Sequence, residues 1–191
     1  FATDDGGAHW RRLPGPAALP NEGAFAASGT CLVAAGRRDA WLVTGGPGAA
    51  RVLHSTDRGA VWTASATPVR NDSASAGIFS IAFANEKRGI VVGGDYQKPA
   101  ESMGNVALTA DGGTTWTTAL EPPAGFRSAV GYIRKRNAWI AVGTSGSDIS
   151  VDDGRTWRTF DAGAFNAIAI SPEGEIRTVG PNGRVARALF R

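Results

Sequence analysis

A short pattern that occurs four times constrains the fold of this chain more than any other feature of its sequence. A Ser or Thr is followed by Asp two residues later, by Gly two residues after the Asp, and by Trp three residues after the Gly. The copies lie at residues 3–10, 55–62, 109–116 and 150–157. A pattern repeated in this way indicates an architecture built from similar supersecondary units.

The chemistry of the pattern is that of a tight turn between two strands. An Asp carboxylate can accept backbone N–H groups across the turn, and Gly tolerates the positive φ that tight turns require. The Trp ring can pack between neighbouring sheets. We therefore predict structural roles for Asp5, Gly7, Trp10, Asp57, Gly59, Trp62, Asp111, Gly113, Trp116, Asp153 and Trp157.

A longer unit surrounds the pattern. Apolar strands are predicted in pairs at 29–35 with 40–44, 78–84 with 89–92, 127–133 with 138–142, and 165–170 with 175–179, the last pair being followed by a strand at 184–190. Successive first strands begin 49, 49 and 38 residues apart. Such spacings suit a four-stranded propeller blade of about 40–50 residues.

These repeats predict an all-β fold, a β-propeller of four-stranded antiparallel blades with the repeated turn between the third and fourth strands. About four to five blades are visible in the single domain 1–191, either as a small ring or as part of a larger, seven-bladed one. The predicted blades are approximately 29–77, 78–126, 127–164, and 165–191 completed by a strand from 1–14. That completion would remove two exposed sheet edges. The start within a strand favours a fragment of a larger ring.

The repeated turns, together with the stretches 25–30, 77–83, 92–96 and 143–148, resemble the BNR or Asp-box propeller superfamily. The likeness is closest to the bacterial photosystem II stability/assembly-factor-like proteins, which are often labelled oxidoreductases. Sialidases and other glycosidases share the scaffold. The resemblance implies a non-enzymatic protein that binds a protein or peptide, without a cofactor.

Composition and missing motifs exclude several classes of function. The net charge is only +3 and the charges are mixed in sign, so no nucleic-acid-binding surface is predicted. One Cys cannot form an intrachain disulfide, and no apolar run approaches the ~20 residues of a membrane span. Neither a dinucleotide fingerprint nor paired metal ligands occur, so we expect no cofactor and no metal. We expect a periplasmic or extracellular location, although no signal peptide is visible.

Candidate binding residues are expected in the loops at the end of the blades opposite the repeated turns, because loops on a rigid scaffold often carry recognition. The segment 95–102 is the longest of these insertions. The predicted partner-binding residues are Arg51, Asp95, Tyr96, Lys98, Arg127, Ser145 and Asp148, with Tyr96 as an aromatic contact and Arg127 as an anion clamp. We assign no catalytic residue.

Two other functions are consistent with the sequence. A glycoside hydrolase would need two carboxylates facing each other across a cleft, drawn from Glu22, Asp72, Asp95, Glu101 and Asp148. A structural module of a larger secreted protein would need neither a cleft nor a ligand. Carbohydrate therefore stays a second candidate ligand beside a protein or peptide, and an incomplete ring would leave self-association open.

Overall fold

The computed structural model describes residues 1–26 and 29–188. Within them, fifteen strands form four sheets. The first sheet contains β1 (Leu32–Ala35), β2 (Asp39–Val43), β3 (Arg51–Ser55) and β4 (Thr63–Ala66). The second contains β5 (Ala76–Phe83), β6 (Gly89–Asp95), β7 (Val106–Thr109) and β8 (Thr117–Thr118). The third contains β9 (Ala129–Ile133), β10 (Ala138–Gly143), β11 (Gly146–Ser150) and β12 (Arg158–Asp161), and the fourth β13 (Ala167–Ile170), β14 (Ile176–Val179) and β15 (Val185–Ala188).

Every sheet is an antiparallel meander in which strands adjacent in sequence are hydrogen-bonded neighbours. The first strands of successive sheets contact one another, β1 with β5, β5 with β9, and β9 with β13. Sheets that meet through their first strands are arranged like blades around an axis. The predicted all-β fold is therefore confirmed, and the described residues form a partial β-propeller.

Apolar side chains fill the spaces between successive sheets. Trp41, Val43, Ile78 and Val91 belong to the cluster between the first and second sheets. A second cluster joins the second and third sheets, and a third joins the third and fourth. The runs of buried residues in β6 and β10 reflect contacts on both faces. Burial of this apolar surface is the main force that holds the sheets together.

Backbones approach closely where the first two sheets meet. Gly45 and Gly77 form an isolated antiparallel bridge. A Cβ added to Gly77 would lie 2.3 Å from the Cα of Gly45, and Gly77 has a φ of +154°. Only glycine fits both the space and the backbone conformation at Gly77.

The four repeated turns share one hydrogen-bond set. In the second turn, the Ser55 hydroxyl donates to Asp57 Oδ1 at 2.8 Å and accepts the Gly59 N–H at 2.8 Å. Asp57 Oδ1 also accepts the Val61 N–H at 2.9 Å, and the Trp62 indole N–H donates to the Gly59 carbonyl at 3.0 Å. The Ser, Asp, Gly and Trp of the pattern are therefore linked by hydrogen bonds inside the turn.

The predicted role of Asp153 in the fourth turn is wrong by one residue. Asp152 Oδ1 accepts the Ser150 hydroxyl at 2.8 Å and the Thr156 N–H at 3.0 Å. Asp153 has a φ of +60° and instead accepts two hydrogen bonds from Arg88, at 2.7 and 2.8 Å. The position after the turn aspartate is left-handed in the second turn as well, at Arg58.

The turn tryptophans differ in how far their neighbours cover them. Trp116 and Trp157 are buried against the preceding sheet, with 8% and 7% of their surfaces exposed. Trp62 is half-buried and Trp10 is 62% exposed. Packing between sheets, as predicted for all four, thus holds where the described residues supply a preceding sheet.

The predicted pairing of a strand near Trp10 with residues 184–190 is absent from the described part of the chain. Arg11 forms a bridge with Ala2 instead, so the first turn closes its own short hairpin. The fourth sheet has three strands among the described residues. Residues 189–190 of the predicted strand lie outside them.

Two buried tryptophans on equivalent second strands differ in their polar contacts. The Trp41 indole N–H donates to the carbonyl of Gly112 in the next sheet's turn at 2.9 Å. Trp139 is 1% exposed, and its indole N–H has no hydrogen-bond partner among the described residues. A buried donor without a partner costs about 1–3 kcal/mol.

We predict that Trp41→Phe destabilises the protein more than Trp139→Phe, by about 1–3 kcal/mol in the free energy of unfolding. Both changes remove the same volume, but only Trp41→Phe removes a hydrogen bond. Urea unfolding of the two variants measures the difference. Equal losses of stability would contradict the hydrogen-bond assignment.

We predict that Asp152→Ala lowers the free energy of unfolding by about 1–3 kcal/mol, since it removes the acceptor of the turn's hydrogen bonds. Asp153→Asn tolerates the left-handed backbone and breaks only a half-exposed ion pair, so its cost stays below about 1 kcal/mol. Thermal unfolding of both variants tests the ranking. A larger loss for Asp153→Asn would restore the role first predicted for that residue.

Candidate functional site

One end of the sheets carries the longer connecting loops, opposite the end that carries the repeated turns. We call this end the loop face and define it as residues 44–50, 67–75, 95–105, 122–128 and 143–146. Each segment follows the second or fourth strand of a sheet. The alternation of strand directions in a meander places these connections together at one end.

The loop face contains an open cavity of about 800 Å³ between the first and second sheets. One wall is residues 67–72, which leave β4, and the other is residues 100–104, which lead into β7. Val69 is 2% exposed and also belongs to the core between the two sheets, whereas Met103 is 84% exposed. The cavity thus joins the apolar core to an exposed apolar side chain.

An ion-paired cluster lies along the cavity. Arg70 donates from Nε and Nη2 to the two oxygens of Asp72, at 2.6 and 2.9 Å, and from Nη1 to Glu101. These contacts lower the pKa of Asp72, chiefly through the hydrogen bond from Arg70. One guanidinium is therefore shared by two carboxylates.

The long insertion after β6 begins with a buried carboxylate. Asp95 is 2% exposed and accepts hydrogen bonds from the Ser73 hydroxyl at 3.2 Å and the Gln97 N–H at 2.9 Å. Burial alone would raise the pKa of Asp95, but hydrogen bonds, first among them that from Ser75, lower it overall. Asp95 therefore anchors the loop. Lys98 is exposed, and its charge contributes to the lowered pKa of Asp95 and of Asp72.

Tyr96 is half-exposed beside a group of aromatic rings. Its ring meets Phe25 and Phe79 edge to face, with centroids 6.4 and 6.1 Å away, and those two phenylalanines stack at 4.1 Å. The aromatic packing holds the Tyr96 ring while 47% of the residue stays exposed. The place predicted for an aromatic contact on the loop face is consistent with this geometry.

Arg127 is not available as an anion clamp. It is 0% exposed, and its Nε donates to Asp148 Oδ2 at 2.5 Å. Its Nη1 donates to the Phe126 carbonyl and to the Ser145 hydroxyl, at 2.8 and 2.9 Å. Burial lowers the pKa of Arg127, and Asp148 opposes that shift. The structure thus brings together the predicted residues Arg127, Ser145 and Asp148, but as a buried structural ion pair.

Arg51 forms a second ion pair instead of facing solvent. It donates from Nε and Nη2 to the two oxygens of Glu22, at 2.8 and 2.5 Å. The exposed fractions of the Arg51 and Glu22 side chains are 17% and 3%. Burial would raise the pKa of Glu22, but the hydrogen bonds from Arg51 and Thr44 lower it to about 2.

The carboxylates considered for hydrolysis are all engaged in other contacts. Glu22, Asp72, Glu101 and Asp148 each pair with an arginine, and Asp95 anchors its own loop. Among the described residues, no group of three His, Cys, Asp or Glu could hold a metal ion, and the helices are too short to span a membrane.

The sequence analysis did not predict the cavity that Val69 and Met103 help to line. The length of the insertion at 95–102 was the one feature of the sequence that pointed to this region.

Comparison with known proteins identifies the fold. No protein-family model matches the chain, and no curated protein matches it. The solved structure of YCF48 bound to D1 peptide has a TM-score of 0.56 at 20% identity, over 89% of this chain and 55% of that one. This chain therefore spans about half the length of the YCF48 chain.

Two glycoside hydrolases of family GH74 are similar over a smaller share of their length. An ancestral GH74 enzyme gives a TM-score of 0.54 at 15% identity, covering 82% of this chain and 25% of that one. The GH74 xyloglucanase from Xanthomonas campestris gives 0.54 at 12% identity, covering 78% and 27%. At these identities the likeness supports the β-propeller fold alone.

We predict that Glu22→Gln lowers the free energy of unfolding at neutral pH by at most about 3 kcal/mol, the linkage value of the lowered pKa. A carboxylate with a lowered pKa in the folded state contributes stability above its unfolded pKa of 4.5, and this contribution disappears as the pH falls toward about 2. The gap between wild type and variant should therefore narrow between pH 5 and pH 2, measured by urea unfolding. A gap independent of pH would rule out the ion pair as its cause.

Proposed function

We propose that this chain is a non-enzymatic β-propeller scaffold that binds a protein or peptide segment on its loop face. The observation that carries the proposal is the open cavity of about 800 Å³, which places exposed Met103 near the paired loop carboxylates. Concave sites lined by apolar groups with a few polar ones are the usual form of a binding site. An extended peptide could lay a side chain into such a cavity.

The comparisons support a peptide partner in one respect. One similar structure is that of YCF48 bound to D1 peptide, so this architecture accommodates a peptide in that protein. We extend the repeat class to the present chain as an Asp-box propeller of the assembly-factor-like type, because its four turns share the hydrogen-bond set described above. We further propose a periplasmic or extracellular location for it.

A glycoside hydrolase is the second candidate, and the GH74 neighbours favour it. A hydrolase requires an acid whose pKa is raised, paired with a second carboxylate across a cleft. The pKa values of Glu22, Asp72 and Asp95 are instead lowered by their hydrogen bonds. These carboxylates are held in the ionised form, which suits salt-bridged loops better than acid catalysis.

The test is site-specific photo-crosslinking in an extract of the source cells. Benzoylphenylalanine replaces Tyr96 or Met103 on the loop face, or Val61 in a repeated turn as a matched control, since Val61 is 66% exposed. We expect a discrete crosslinked protein from the two loop-face positions and none from Val61. Crosslinks of equal yield from all three positions, or from Val61 alone, would refute a loop-face partner.

The alternative is tested in parallel with purified protein. Incubation with xyloglucan, followed by measurement of new reducing ends, should give no product if the chain is only a binding scaffold. Release of reducing ends that disappears on Glu101→Gln would favour the hydrolase instead.

A further inference from the structure

We propose that the loop-face cavity accepts a peptide segment in which an apolar side chain is flanked by a lysine or arginine. This inference rests on the proposed function and specifies the chemistry of the partner. It reverses the expectation of an acidic ligand that Arg127 as an anion clamp would imply.

The apolar part of the argument concerns the cavity walls. Val69 is 2% exposed and belongs to the core between the first two sheets, and Pro68 lies beside it in the same wall. Met103 stands in the opposite wall with 84% of its surface exposed. Methionine is unbranched and adapts to differently shaped apolar partners. A leucine-sized side chain placed between these walls would cover Met103.

The walls are tied together before any ligand arrives. The Arg70 N–H donates to the Gly104 carbonyl at 2.8 Å, which joins the two walls across the cavity. The Gly48 N–H donates to the Asn71 carbonyl at 2.8 Å. Gly104 has a φ of +68°, and an added Cβ would lie 3.1 Å from the Arg70 nitrogen. A preorganised cavity binds without the entropy cost of ordering its loops.

The charge at the cavity favours a basic partner. Arg70 directs all three of its hydrogen-bonding nitrogens to Asp72 and Glu101. The side chains of those acids are 59% and 47% exposed, whereas that of Arg70 is only 19% exposed. Solvent and any ligand therefore meet the carboxylates more readily than the guanidinium that they share.

The neighbouring charges leave this balance unchanged. Lys98 interacts electrostatically with both Asp72 and buried Asp95. The cluster therefore contains two cations, Arg70 and Lys98. It contains three carboxylates, those of Asp72, Asp95 and Glu101, so one negative charge is in excess. Arg127, the other arginine of the loop face, and Arg51, which begins β3 beside it, are paired with acids of their own. A lysine or arginine in the ligand would balance the excess carboxylate, while an acidic ligand would be repelled.

The chain offers a single reporter inside the cavity, since Met103 is its one methionine. Protein labelled with ¹³C-methyl methionine therefore gives one methyl resonance, which needs no assignment. The probes are the blocked peptides Ac-Ser-Gly-Leu-Lys-Gly-Ser-amide, its Leu-Glu counterpart, and its Ala-Lys counterpart. We expect the Leu-Lys peptide to shift the resonance saturably and the other two to bind more weakly.

Glu101→Gln should weaken the affinity for the Leu-Lys peptide by about 2- to 5-fold, because it removes one exposed ion pair. Glu86→Gln, an exposed change at the opposite end of the second sheet, is the matched control and should leave the affinity unchanged. Binding of the Leu-Glu peptide as tight as that of the Leu-Lys peptide, or no Met103 shift up to the solubility limit, would overturn the inference.

A second reporter separates this inference from the proposed function. Protein labelled with 3-fluorotyrosine reports on Tyr96, whose resonance is assigned by its loss in Tyr96→Phe. Peptide-induced shifts at Tyr96 without any at Met103 would overturn the cavity as the site while still supporting loop-face binding. If no peptide shifts the resonance of Met103 or of Tyr96, the proposed specificity for a basic and apolar peptide is overturned. The crosslinking experiment then decides the proposed function by itself.

Discussion

The rest of the structure depends on the hydrogen bonds inside the repeated turns. In each turn a Ser or Thr hydroxyl, an Asp carboxylate and a Trp indole satisfy groups within eight residues of chain. The turn therefore forms without help from the neighbouring sheet, and the same bonds fix the direction of the tryptophan ring. The rings of Trp116 and Trp157 then fill the spaces between sheets. Local hydrogen bonding thus determines how neighbouring blades pack.

Because the turns and the core maintain the fold, the loops at the other end can vary. Those loops are nevertheless well connected, through the pairs of Arg51 with Glu22 and Arg127 with Asp148, and through the cluster around Arg70. Partly or fully buried ion pairs of this kind specify a loop conformation more than they add net stability. What they leave for recognition is apolar surface and a small excess of negative charge. The interpretation as a binding scaffold follows from this division of roles.

The sequence predicted the all-β fold because the repeated turns and the apolar strand pairs recur at similar intervals along the chain. It misplaced Asp153, because two aspartates are adjacent in the fourth turn, although the spacing of the repeat from Ser150 selects Asp152. It also predicted Arg127 as a ligand contact, since an arginine at the start of a strand reads as exposed. Its burial depends on Asp148, Ser145 and the surrounding strands, which are distant in the chain. A lone methionine in a loop carries no pattern at all, so the role of Met103 emerged only from the cavity.

The hydrogen bond from Trp41 to Gly112 constrains the sequence changes that two adjacent repeats can tolerate. Its donor belongs to one repeat and its acceptor to the next. The third sheet has Ile140 at the position that matches Trp41 in strand register, so among the described residues this bond joins only the first and second repeats. An insertion within the turn at residues 109–116 would move the Gly112 carbonyl and leave the Trp41 indole N–H without an acceptor in an apolar interior. The length of the turn at residues 109–116 and the identity of residue 41 are therefore coupled, although they belong to different repeats.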